Sequence, residues 1–239
     1  LKTRVRNVFD AHSGRYGYRR VTAEIRKAGQ KVNHKCVQRL MSDLGLKSLV
    51  RPKKFRTYKG EVGEVADNRL ERNFEAAAMH EKWVTDVTEF KVGGEKLYLS
   101  PVMDLCNGEI IAFEMNTRPV LSLVTNMLRK ALRKLGKDDK PVLHSDQGWH
   151  YQKSTYRQAL KRSNVVQSMS RKGNCLDNAA MESFFAVIKT EYFYLQKFAS
   201  IKELKKGLAK YIHYYNHKRI KLRLNGLSPV QYRTQLQAA

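Results

Sequence analysis

The sequence predicts a mixed α/β core, preceded by an all-α module and followed by a helical extension. Three observations predict it. Strand-like runs cluster between residues 82 and 116, strands and helices alternate from there to about residue 194, and the flanking segments show only helical periodicity.

Leu1, Val5, Val8 and Phe9 space a first helix, Tyr18, Val21 and Ile25 a second, and Val37, Leu40, Met41 and Leu44 a third. Asn33 is placed to cap the third, and Gly29 and Gly45 stand where glycines end helices. The short stretch "GQKV" between the second and third helices fits a helix-turn-helix, whose second helix can enter a major groove. His34, Lys35, Gln38 and Arg39 fall on the solvent side of that helix, and a plain small helical bundle is the alternative. Residues 1–50 form this module. Residues 51–78 are a linker, basic at first and then acidic and either helical or disordered.

The core opens with the strand "EKWVTDVTEFKV", which turns at Gly93-Gly94 into "EKLYLSPVMDL", a strong hairpin signal. "GEIIAFEMN" is a third strand, and Val120, Leu121, Val124, Leu128, Ala131, Leu132 and Leu135 space a helix. "KPVLHSDQG" reads as a buried fourth strand ending in a turn, residues 154–163 as a helix, and "NVVQSM" as a fifth strand. A long helix from about Asn178 to Tyr194, N-capped by Asp177, closes the core at 79–198. The order β-β-β-α-β-α-β-α is that of an RNase H-like α/β domain. In residues 199–239, Ser200 and Glu203 form a capping box for a helix through Tyr215, and Ser228-Pro229 opens a last helix.

The net charge is +24, and its distribution is uneven. Residues 1–60 sum to +14, residues 61–146 to −3 and residues 147–239 to +13. Two basic ends around a mildly acidic middle point to a polyphosphate partner, whose released counterions favour binding, rather than to a membrane-surface or ribosomal role. No apolar run reaches the roughly 18 residues of a spanning helix. Cys36, Cys106 and Cys175 form no C-x-x-C pair and read as reduced thiols in a cytoplasm. The first residue is Leu1, so the sequence is expected to begin inside a longer polypeptide.

Three carboxylates occupy distinct addresses. Asp86 lies within the first strand, on the face of Val84, Phe90 and Val92, where aspartate is unusual. Asp146 falls just past the end of the fourth strand, where open α/β sheets form their ligand crevice, and Glu182 stands early in the long helix. In RNase H-like order these positions converge. Uncompensated, such a cluster is unfavourable, but two Mg²⁺ or Mn²⁺ ions suit hard oxygen donors and phosphodiester chemistry.

These words resemble the catalytic frame of DDE-type insertion-sequence transposases, of the IS-three family and close to its IS-one-fifty group. Asp146 and Glu182 are separated by 35 residues, the D-35-E spacing shared with retroviral integrases. "WVTDVTEF", "HSDQGWHY", "SMSRKGNCLDNAAMESFFAVIKTE" and "YYNHKRIKLRLNGLSPVQYR" match too, as does "RYGYRRVTAEIRKAGQKVNHKCVQRLMSDLGL" before the core. The resemblance covers almost the whole chain. It implies an integrase-type core with Asp86, Asp146 and Glu182 as catalytic triad and two-metal site, and Lys189 as a DNA contact. It also implies strand cleavage and transfer at element ends, working as a homodimer or higher oligomer. An upstream helical protein fused by frameshifting is a further implied partner. Retroviral integrases carry a zinc-binding His/His/Cys/Cys module that is missing here, which favours transposase over viral integrase. The alternatives are an RNase H-type nuclease without joining activity and a catalytically inactive DNA-binding regulator.

Further candidates for DNA contact are Arg19, Arg20, Lys35, Gln38, Arg39, Arg171 and Lys172, with Tyr16 and Tyr18 beside the first two. Tyr18 is expected to pack in the helical core, Trp83 in the sheet core, and His144 and His150 to serve structure. Gly148 and Gly173 are read as mobile points or simple turns.

Overall fold

The computed structural model describes residues 1–50, 66–171 and 175–238. The chain forms two compact units: Leu1–Lys54 with Val187–Lys197 and Tyr211–Ala239, and Phe55–Ala186 with Phe198–Lys210. Residues 199–239, expected as one extension, are thus divided between the units.

In the first unit, α1 (Lys2–Ala11), α2 (Tyr18–Lys27) and α3 (His34–Asp43) enclose Val5, Tyr16, Val21, Ile25, Val37, Leu40 and Met41. Asn33 caps α3 as its position predicts, its Oδ1 accepting the Lys35 N–H at 2.9 Å. Ile220 completes this core, fully buried, with its N–H donating to the Tyr16 hydroxyl at 2.9 Å. Burial of one such side chain stabilises by about 1.5–3 kcal/mol. Tyr18 is the partly buried neighbour and Tyr16 the central one. The helix-turn-helix therefore shares its core with a segment far along the chain.

The second unit is built on a mixed sheet of β1 (Lys82–Thr85), β2 (Thr88–Val92), β3 (Glu95–Asp104), β4 (Ile110–Asn116), β5 (Val142–Ser145) and β6 (Val166–Met169). Its path is β2-β3-β1-β5-β6, with β4 on β3. The first predicted strand is interrupted: Asp86 and Val87 belong to neither β1 nor β2. The register on β3 nevertheless continues, from Thr85↔Val102 to Thr88↔Leu99, so Asp86 falls opposite Pro101. Proline has no N–H for the ladder, and Thr85 Oγ1 donates to the Pro101 carbonyl instead, at 2.8 Å. β2 and β3 turn at Gly93 and Gly94, both at positive φ, as two-residue hairpins require.

Helix α4 (Leu121–Leu132) packs Val124, Met127, Leu128 and Ala131 against Trp83, Val102, Ala112 and Leu143. A short helix, α5 (Trp149–Gln152), unforeseen in the sequence, precedes α6 (Ser154–Arg162), and Tyr151, Tyr156 and Leu160 join the same core. Residues 66–78 are neither helical nor without order. Arg69 and Leu70 donate their N–H groups to Ser168 Oγ, and the Met169 N–H donates to the Asp67 carbonyl. The remainder of the expected linker, 51–65, lies outside the described residues. Helix α7 (Ala179–Glu191) follows a 3-10 turn at Cys175–Asn178, and α8 (Ile201–His217) carries the expected capping box, Ser200 Oγ accepting the Glu203 N–H at 3.2 Å. The last helix, α9, spans Pro229–Ala238.

Candidate active site

Asp86 and Asp146 leave the ends of adjacent parallel strands at one level. The β1 and β5 register runs Lys82↔Val142, Trp83↔Leu143, Val84↔His144, and two further steps set Asp86 beside Asp146. Both carboxylates act on the phenol of Tyr151, which is 1% exposed and is pushed far up, first by burial and then by those two charges. The Gly148 N–H donates to Asp146 Oδ1 at 2.9 Å, and the Val87 N–H to Asp86 Oδ1 at 2.7 Å. Asp146 keeps open surface, yet protein surrounds it closely enough to raise its carboxyl above the usual range.

The entry to α7, the helix that carries Glu182, is tied to the same strand end. Asn178 Nδ2 donates to the Thr85 carbonyl at 3.2 Å, one residue before Asp86, and Glu182 lies four residues on, the spacing of one helix face. Its carboxyl is raised by burial, and it has no hydrogen-bond or ion-pair partner among the described residues. Hard oxygen donors with raised proton affinity fit Mg²⁺ or Mn²⁺. Among the described residues, however, no three His, Cys, Asp or Glu side chains stand close enough together to share an ion. Two of the acids are level neighbours. The third stands on α7, whose entry is tied to the same strand through Asn178.

Asp177 does not cap α7. It is fully buried, and its carboxylate accepts Arg171 N–H, Nε and Nη2, Arg72 Nε and Asn68 Nδ2, each at 2.9–3.0 Å. Arg171, above all, holds this carboxyl far below the usual range. The cluster ties residues 68–72 to the segment entering α7, and no sequence signal marks Asn68 or Arg72 for this task. Arg171, a candidate phosphate contact, thus has two of its guanidinium nitrogens on Asp177. Lys172 and Gly173 lie outside the described residues.

His144 is fully buried between Ser168 Oγ at 2.8 Å and Ser170 Oγ at 3.0 Å. Ser168 Oγ also accepts two backbone N–H groups, and Ser170 Oγ also meets the Ser145 carbonyl, so the network assigns a neutral, Nε2-protonated ring. Burial holds its pKa down to about 4. His150 Nε2 donates to the Pro119 carbonyl at 3.0 Å. Both histidines are committed to structure, as is Trp83, fully buried with Nε1 on Asp104. Tyr151 and Gly148 are the residues at this site that composition and periodicity do not reveal.

The candidate DNA contacts fall into two sets. His34, Lys35, Gln38, Arg39 and Arg19 are exposed, and Lys189 is half-buried on α7. Arg20 turns inward: its Nη1 lies 3.2 Å from Glu191 Oε1 within the first unit, where Arg219 and the Tyr211 hydroxyl bind the same carboxylate.

The comparisons with known proteins agree on the class. Family models described as integrase core domain match residues 76–175 and 182–236, and one described as HTH-like domain matches residues 1–54. The fold is similar to the HTLV-2 integrase catalytic core domain solved in complex with magnesium, with TM-score 0.51 and 16% identity over 65% of this chain and 97% of that one. A chain of the simian T-cell lymphotropic virus intasome gives the same score and identity over 84% and 66%. This is an RNase H-like, integrase-type core with a helix-turn-helix.

Sequence relatives narrow the class. A protein named as the transposase InsK of insertion sequence element IS150 in Escherichia coli (strain K12) is 53% identical over 98% of this chain and 83% of its own length. A transposase-like protein of Haemophilus influenzae is 53% identical over 86% and 94%, and the transposase InsF of IS3A in Escherichia coli (strain K12) is 34% identical over 94% and 78%. The chain belongs to the insertion-sequence transposases.

Proposed function

We propose that the chain catalyses metal-dependent cleavage and strand transfer at the ends of an insertion sequence, with Asp86, Asp146 and Glu182 as its catalytic carboxylates. The observation that carries the reading is the position of Asp86 and Asp146, each one residue past the end of neighbouring parallel strands and two register steps beyond Val84↔His144. Two bound Mg²⁺ or Mn²⁺ ions would supply an activated water or 3′-hydroxyl and stabilise the leaving oxygen. The chain's own residues hold that arrangement. Gly148 orients one oxygen of Asp146, leaving Oδ2 without a partner among the described residues. Glu182, one helical turn from the anchored Asn178, is free of other bonds among those residues and is the ligand that closes the set.

Double-stranded DNA, both element ends and target, is the substrate of this reading. Lys35, Gln38 and Arg39 on α3 suit a major groove, and Lys189 suits a phosphate near the cleavage point. Because two ends must be held together, a homodimer or higher oligomer is the working form, and an upstream helical protein is a fusion partner of the family kind. The test is Asp146→Asn with labelled element ends. Mg²⁺-dependent cleavage and joining should disappear while end binding stays within about threefold; joining at the wild-type rate would sink the assignment.

A further inference from the structure

Gly148 offers a second control over the site, and it rests on the reading of Asp146 as a metal ligand. Its backbone, at φ −56° and ψ 137°, is open to any L-residue, so the turn does not require glycine for its conformation. What glycine supplies here is space. A Cβ at this position would stand 2.9 Å from Asp146 Oδ1 and 3.3 and 3.4 Å from the Tyr151 ring.

One neighbour would have to move, and the surroundings decide which. Tyr151 is 1% exposed, its ring meets Tyr156 at 5.4 Å, and its carbonyl is held by Gln167 Nε2 at 2.8 Å. A ring locked in a close-packed core cannot retreat cheaply. The Asp146 carboxylate ends a short side chain with open surface, and its bond in the structure is to the Gly148 N–H itself. It is the group that yields.

We infer that Gly148 is a positioning residue: its N–H and its missing side chain together set the Asp146 carboxylate against the Tyr151 wall in the orientation that holds the ion. A methyl group there displaces the carboxylate and leaves the fold in place. Two small effects on stability oppose each other, the weaker N-cap that alanine makes and the lower entropy of its unfolded chain.

The experiment compares the full wild-type chain with Gly148→Ala and Asp146→Asn in three measurements. These are metal-free melting temperature, Mn²⁺ binding without DNA by electron paramagnetic resonance, and the rate of end joining. Gly148→Ala should melt within a few degrees of wild type, bind Mn²⁺ at least tenfold more weakly, and join about 100-fold more slowly, the scale of an ångström-sized misplacement. Wild-type Mn²⁺ binding or joining by this variant overturns the inference, as does a collapse of its melting temperature, which would make the glycine a requirement of the fold. If Asp146→Asn still joins, the reading beneath the inference fails; if Asp146→Asn is dead and Gly148→Ala joins normally, only the role of Gly148 falls.

Discussion

Arg219 gives Nε and Nη2 to the two carboxylate oxygens of Glu191, at 2.8 and 2.6 Å, with both side chains at most 5% exposed. Arg20 and the Tyr211 hydroxyl add to the same carboxylate, and against the opposing effect of burial Arg219 holds this carboxyl below the usual glutamate range. A charge so enclosed is tolerable only while its partner remains. Arg219→Ala should therefore destabilise the first unit by about 3–5 kcal/mol, whereas an apolar replacement of both partners should cost much less. Urea unfolding of the single and double variants checks this, and an additive double variant would show that the pair is not coupled.

Because Ile220 and Tyr16 share one core, deleting residues 1–46 is a poor way to ask what the helix-turn-helix recognises. The deletion should lower the melting temperature of what remains by exposing that core. Lys35→Ala with Arg39→Ala changes only exposed side chains. The double variant should keep the wild-type melting temperature, lose about tenfold in affinity for element ends, and show a shallower salt dependence. Unchanged affinity would move recognition elsewhere on the chain.

His144 sets a pH window for the second unit. Its folded pKa of about 4 lies below the usual 6.5, so the unfolded chain binds the extra proton first. The stability from keeping it neutral is complete above pH 6.5 and is lost as pH falls toward 4, by roughly 3 kcal/mol at that point. In the first unit His12 behaves alike, held down to about 4 by burial and by Arg15. Denaturation between pH 7 and 4 should show this slope, and His144→Gln should flatten it in the second unit.

The Gly93-Gly94 turn, the Asn33 cap and the Ser200–Glu203 box were legible because each is encoded within a few residues, and the succession of strands and helices was legible apart from the break at Asp86 and Val87 and the short α5. Asp146 was legible for a related reason: a polar turn after a short apolar run marks the end of a buried strand. What escaped the sequence depends on distant partners. Asp177 looks like a cap until Arg72, 105 positions away, reaches it, and Arg20 looks like a DNA contact until Glu191, 171 positions away, claims it. Periodicity tells which face is buried and not what lies against it. Pro101 was visible, but only the register on β3 sets it against Asp86 and accounts for the break between β1 and β2.

The Ile220 N–H and the Tyr16 hydroxyl are 204 positions apart in the chain. Residues 1–43 of this module are made before residue 220, so the contact that Ile220 adds to their core forms only later in synthesis. A chain ended before that codon should leave the Tyr16 hydroxyl without this donor and the apolar core short of one buried side chain. The distance between the two residues thus ties the finishing of the helical module to a segment translated long after it.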